Sequence, residues 1–195
     1  MQKLSAIIVG GIIPAFIMLT NNACKESYTP KPAGYIKIEY PEKNYRLYDL
    51  NPAFRFECPE YSVVVPDTSV KAHEGWLNIN IPSLNGTIYL NYRRINNNLA
   101  GYIEDSRVLV YKHTIKAESI DETVINDPSG KIYGIFYDIR GNAATSVQFF
   151  VTDSTRHFLR GSLYFNSQPN QDSLAPVISF VRKDIDHMIR TLEWK

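Results

Sequence analysis

Three stretches late in the chain, residues 131–140, 145–152 and 157–165, are rich in β-branched and aromatic residues and carry large apolar side chains on both alternating sets of positions. In the second of them Val147, Phe149 and Val151 stand on one side and Phe150 on the other. Successive residues of a strand point to opposite faces of a sheet, so a sheet built from these stretches has to be covered on both faces. Two amphipathic segments can supply the cover. One starts at Asp172-Ser173, with Pro176 in its first turn, and places Leu174, Val177, Ile178, Val181, Ile185, Met188, Ile189 and Leu192 at i, i+3, i+4, i+7 spacing. The other follows Asn96-Asn97-Asn98, any of which can cap it, and carries Leu99, Tyr102, Ile103, Leu109 and Val110. Further strands are expected over residues 36–40, 53–58, 61–65, 76–81, 87–93 and 123–126, with Asn85-Gly86 as a turn between two of them. The expected fold is α+β, a mainly antiparallel β-sheet packed against two main helices.

The N-terminus speaks about location. An apolar run over residues 4–19 stands behind Lys3 and contains Gly10, Gly11 and Pro14. It is shorter than the roughly 20 residues of a membrane-spanning helix, and Pro14 would break one. A charged start, a short apolar centre and a small residue, Ala23, describe a secretory signal. Cys24 follows at once, which is the layout of a bacterial lipoprotein signal, although Asn21 stands where an apolar residue is usual. Residues 1–23 then form the signal peptide, Cys24 carries lipid, residues 24–34 with Pro30 and Pro32 form an extended tether, and residues 35–195 form one globular domain. Each buried methylene adds about 0.8 kcal/mol, so two or more acyl chains anchor stably.

Composition narrows the function. A formal net charge of +1, with cations and anions interspersed, points to neither nucleic acid nor an anionic surface as partner. No phosphate loop, nucleophile elbow, zinc motif or paired C-x-x-C unit is present, and no cofactor is expected. The second of the two cysteines, Cys58, alternates onto the same side as Phe54 and Phe56 and reads as a small buried hydrophobe. Asp184 and His187 are three apart on the last helix beside Lys183, Asp186 and Arg190, and the expectation is a solvated, charge-paired face. His113 ends the first helix, where it complements the helix dipole, and Asp153 and His157 flank a hairpin turn. None of these groupings is a catalytic constellation. Tyrosine is abundant, thirteen residues, with Tyr35, Tyr40, Tyr45 and Tyr48 close together near the start of the domain. That cluster is either a docking surface or part of a tyrosine-rich sheet that satisfies its own hydroxyls.

The stretches SYTPKPAGYIKIEYPEKNY (27–45), INNNLAGYIEDSRVLVYKHTIKA (95–117), RHFLRGSLYFN (156–166) and PVISFVRKDIDHMIRTLEW (176–194) together resemble the gliding-motility lipoprotein GldD family of the Bacteroidota. The resemblance implies a cell-envelope lipoprotein, acylated at Cys24, required for gliding and for type IX protein secretion. It further implies partners among other gliding and secretion envelope proteins, an outer-membrane anchor facing the periplasm, and no catalytic residues. The order of strands followed by a long C-terminal helix is similar to a Mog1/PsbP-like αβα sandwich. In that phylum Asp153-Ser154-Thr155 and Asp172-Ser173-Leu174 resemble a periplasmic O-glycosylation signal at Ser154 and Ser173. The alternative to a docking component is an envelope lipoprotein that binds a glycan or lipid, which requires a pocket lined by aromatics.

Overall fold

The computed structural model describes residues 38–70 and 72–195. Cys24 and Tyr35 lie outside the described residues. In chain order the elements are β1 (Tyr45–Tyr48), β2 (Phe54–Pro59), β3 (Val63–Pro66), β4 (Leu77–Ile81), β5 (Gly86–Arg94), α1 (Leu99–Tyr111), β6 (Ala117–Asp127), β7 (Ile132–Gly141), β8 (Thr145–Thr152), β9 (His157–Phe165), α2 (Gln171–Arg190) and β10 (Glu193–Trp194). The fold is α+β. Seven strands form an antiparallel sheet in the order β3-β4-β5-β9-β8-β7-β6, and β1, β2 and β10 form a second, small sheet. The chain leaves the middle of the large sheet after β5, runs through α1, restarts at the far edge as β6 and meanders back until β9 pairs with β5.

The two faces of the large sheet are covered by different helices, as the two-sided apolar pattern demands. Val147, Phe149 and Val151 of β8 join Val177, Val181, Ile185 and Met188 of α2 in a core that also takes Phe54, Phe56 and Cys58 of β2. Phe150, one residue out of phase, joins Phe158, Tyr137, Ile139 and Val110 of α1 in the core on the other face. Burial raises the Cys58 thiol, the behaviour of a structural cysteine.

Several boundaries differ from the sequence expectation. Residues 38–40 form no strand; the first strand begins at Tyr45, beyond Pro41, which has no N–H to give to a ladder. The expected strand at 123–126 is the end of the 11-residue β6, an edge strand whose other positions include Glu118, Asp121, Glu122 and Asp127, charges of the kind that protect an open edge. In α1 the buried residues are Ser106 and Val110, while Leu109 turns outward. The α2 helix starts earlier than expected: Asn170 is its cap, accepting the Ser173 N–H at 3.2 Å, and Pro176 falls in the second turn. The Asn85 turn is as expected, with φ of 51° and its N–H on the Pro82 carbonyl at 3.2 Å.

Candidate functional site

The most concentrated polar chemistry sits where the first described segment crosses α2. Val181, Asp184, Ile185 and Met188 follow one another at helical spacing, so Asp184 lies inside the buried stripe, and its side chain is 0% exposed. A carboxylate there needs partners. Lys43 Nζ stands 2.5 Å from Oδ1 and donates also to the Phe180 carbonyl at 3.0 Å, while the same ammonium lies 3.7 Å above the Phe180 ring. The Tyr45 hydroxyl donates to Oδ1 at 2.8 Å, and the Tyr61 hydroxyl donates to Oδ2. Burial, followed by the bond to the Asp184 carboxylate, pushes both phenols far above the ordinary tyrosine range, so they remain donors at every physiological pH. Around this centre the Tyr45 ring stacks on His187 at 3.7 Å, His187 Nε2 lies 2.6 Å from Glu57 Oε2, and Tyr40 stacks on Phe180 at 4.5 Å. The expected solvated face at Asp184 and His187 is therefore corrected: one residue is buried and the other is sandwiched between Tyr45 and Glu57. With one ammonium and two phenols already on it, the carboxylate is a latch, holding residues 40–45 and 61 against α2.

The predicted tyrosines divide accordingly. Tyr45 and Tyr48 are half-buried, Tyr45 on Asp184 and Tyr48 beside Phe56 at 5.3 Å, whereas Tyr40 keeps 37% of its surface exposed. Ser154 is exposed at the tip of the β8–β9 hairpin with φ of 67°. The neighbouring Asp153 carboxylate is occupied by that turn: Oδ1 accepts the N–H groups of Thr155, Arg156 and His157 at 3.0, 2.7 and 2.8 Å. Ser173 is exposed in the first turn of α2. His113 lies in the 3-10 turn Lys112–Ile115 that extends α1; burial, then the nearby Arg160 charge, lowers its basicity. Among the described residues no group of three or more His, Cys, Asp and Glu could hold a metal, and no helix is long and apolar enough to cross a membrane.

An exposed apolar surface lies on the outer side of α1. Val108, Tyr111 and Ile115 follow at helical spacing and are 45%, 40% and 89% exposed. The Tyr111 hydroxyl donates to Glu122 Oε1 of β6 at 2.8 Å, which ties the helix to the edge strand, and Val124 on that strand is 74% exposed. Among the described residues no strand pairs with the outer edge of β6, and β6 carries Glu118, Asp121, Glu122 and Asp127 without a single Lys or Arg. Sequence reading missed this surface, because 3.6-residue periodicity marks which residues point inward and says nothing about apolar residues left outside.

The solution structure of the cyanobacterial PsbP protein (CyanoP) of Synechocystis is similar over 85% of this chain and 100% of that chain, with a TM-score of 0.47 and 10% sequence identity. No curated protein matches the sequence. The sequence model of one family, described as gliding motility lipoprotein GldD, matches residues 25–194. Over that span, from the residue after Cys24 to the end of β10, the chain belongs to the gliding motility lipoprotein GldD family.

Proposed function

We propose that this gliding-motility lipoprotein is a non-enzymatic envelope component, held by acyl chains on Cys24 in the outer membrane facing the periplasm, and needed for gliding and for type IX secretion through contacts with other envelope proteins. The observation that carries this reading is the family match, which begins at Lys25, the residue directly after the cysteine that would carry the lipid. A non-enzymatic role is supported by how the reactive groups are used. Asp184 is saturated with donors, His187 is stacked and paired with Glu57, and Cys58 is buried. The contact surface in this reading is Val108, Tyr111, Ile115 and Val124 beside the open edge of β6, and the acidic strand calls for a basic surface on the partner.

Deletion of the gene is expected to abolish both colony spreading and type IX secretion, and the wild-type copy to restore them. A double variant, Ile115→Glu with Val124→Glu, changes only exposed positions and adds like charge to an acidic patch. It is expected to accumulate in membranes at wild-type level, to lose crosslinks to its partners and to fail to restore spreading. Normal spreading and secretion in the deletion strain would contradict the function; full rescue by the double variant would move the contact elsewhere on the domain.

A further inference from the structure

At one end of the large sheet, where β4, β5 and β9 meet, lies a cleft of about 640 Å³, within the size range of small-molecule sites. Its wall is a row across three strands, because the register sets Asn80 opposite Thr87 and Thr87 opposite Tyr164. Tyr89, two residues after Thr87 and so on the same face, is 38% exposed and meets the Tyr164 ring edge-on, with centroids 5.7 Å apart and planes at 78°. The two rings form a right-angled corner. The Thr87 hydroxyl donates to Asn80 Oδ1 at 3.1 Å, which fixes that amide and leaves its NH2 group as a donor. The floor is rigid: the Asn85 side chain donates to the Asn166 carbonyl at 2.7 Å, and the Asn166 N–H returns to the Asn85 carbonyl at 2.9 Å.

The chemistry of this cleft is unusual for a solvent-facing sheet. In a chain with 21% charged residues, none of the residues lining it is charged. An anion would call for Arg or Lys in the wall, a cation for carboxylates, and a lipid tail for a deep, wholly apolar cavity. Amide and hydroxyl groups set beside partly exposed phenol rings suit a ligand that is neutral, dense in hydroxyls, and flat and apolar on its C–H face. We infer that this cleft binds a neutral saccharide, with a sugar ring seated against Tyr89 and Tyr164 and its hydroxyl or acetamido groups on Asn80 and Thr87. The inference rests on the cleft alone and is independent of the contact surface on α1 and β6, which lies at the opposite edge of the sheet.

The test is saturation-transfer NMR on the full-length acylated protein in detergent, with a β-1,4-linked N-acetylglucosamine tetrasaccharide and with cellotetraose as probes. Binding with a Kd on the order of 1 mM is expected for so open a site. Tyr89→Phe keeps the ring and should keep the binding; Tyr89→Ala should weaken it about tenfold, a loss of about 1.4 kcal/mol, and Asn80→Ala should weaken it severalfold. Binding of the acetamido sugar alone would assign an amino-sugar polymer such as the cell-wall backbone as the source, and equal binding of both would assign a hydroxyl-rich exopolysaccharide. No saturation transfer to either probe at ~10 mM, or transfer that survives Tyr89→Ala and Asn80→Ala unchanged, would overturn the inference.

Discussion

Asp184→Ala is expected to lower the unfolding free energy by about 3–5 kcal/mol. The carboxylate is fully buried, and its removal leaves the Lys43 ammonium and the hydroxyls of Tyr45 and Tyr61 without their acceptor. Because the Lys43 side chain is 27% exposed and sits over the Phe180 ring, its charge can regain some water, which places the effect toward the lower end of that range. A buried charge pair contributes less than the cost of breaking it. The double variant Lys43→Met with Asp184→Leu should therefore be more stable than Asp184→Ala alone, and the two sites should couple strongly in a double-mutant cycle. Urea unfolding gives the stability, and amide hydrogen exchange over residues 38–48 gives the local consequence. Exchange there should become faster in Asp184→Ala while the central strands β8 and β9 keep their order of protection. A loss below about 1 kcal/mol would mean that the carboxylate is not the anchor of that segment.

Acid should lower the stability of the protein in two pH regions, and the β8–β9 hairpin contributes to both. Burial alone would raise the Asp153 carboxyl, but the N–H groups of His157, Arg156 and Thr155 and the Thr155 hydroxyl outweigh it and bring the group down to about 2. An unfolded aspartate titrates near 3.9, so the stabilisation from Asp153 is complete above that value and is lost as pH falls toward about 2. It amounts to about 2 kcal/mol. His157 acts at higher pH. Buried between Trp194, 5.2 Å away, and the Tyr92 hydroxyl, 2.9 Å from Nδ1, its ring is held neutral below the ordinary histidine range, chiefly by burial. Below about 6.5 the unfolded chain takes a proton that the native ring refuses, so stability declines as pH drops through that region. Urea midpoints at pH 7, 5 and 3 should fall stepwise in the wild type. Asp153→Ala should be less stable at pH 7 yet lose less than the wild type between about pH 4 and pH 2. Parallel pH profiles for the two proteins would refute this assignment.

The layers of the fold were legible because they follow from periodicity. Val147, Phe149 and Val151 against Phe150 demanded two covers, and the stripe from Val177 to Leu192 supplied one of them. The latch was legible in principle as well. Asp184 stands three residues after Val181 and four before Met188, within the apolar stripe, and an acidic residue at such a position is a buried, partnered group by the same spacing that made its neighbours core. Which groups would meet it was not legible, since Lys43 and Tyr61 lie more than a hundred residues away and no local pattern connects them to α2. The extent of β6 was hidden for a different reason: an edge strand with acidic residues lacks the alternation that marks a half-buried strand. The cleft beside Tyr89 and Tyr164 depended on a register between β5 and β9, strands separated in sequence by α1 and three other strands.

Acylation at Cys24, on which the proposed function most depends, is tested directly by intact-mass and peptide mass spectrometry of the protein recovered from native membranes. It predicts a mature polypeptide that starts at Cys24 and bears acyl chains on that residue, with nothing remaining of residues 1–23. A polypeptide in the soluble fraction whose Cys24 thiol is free would contradict it.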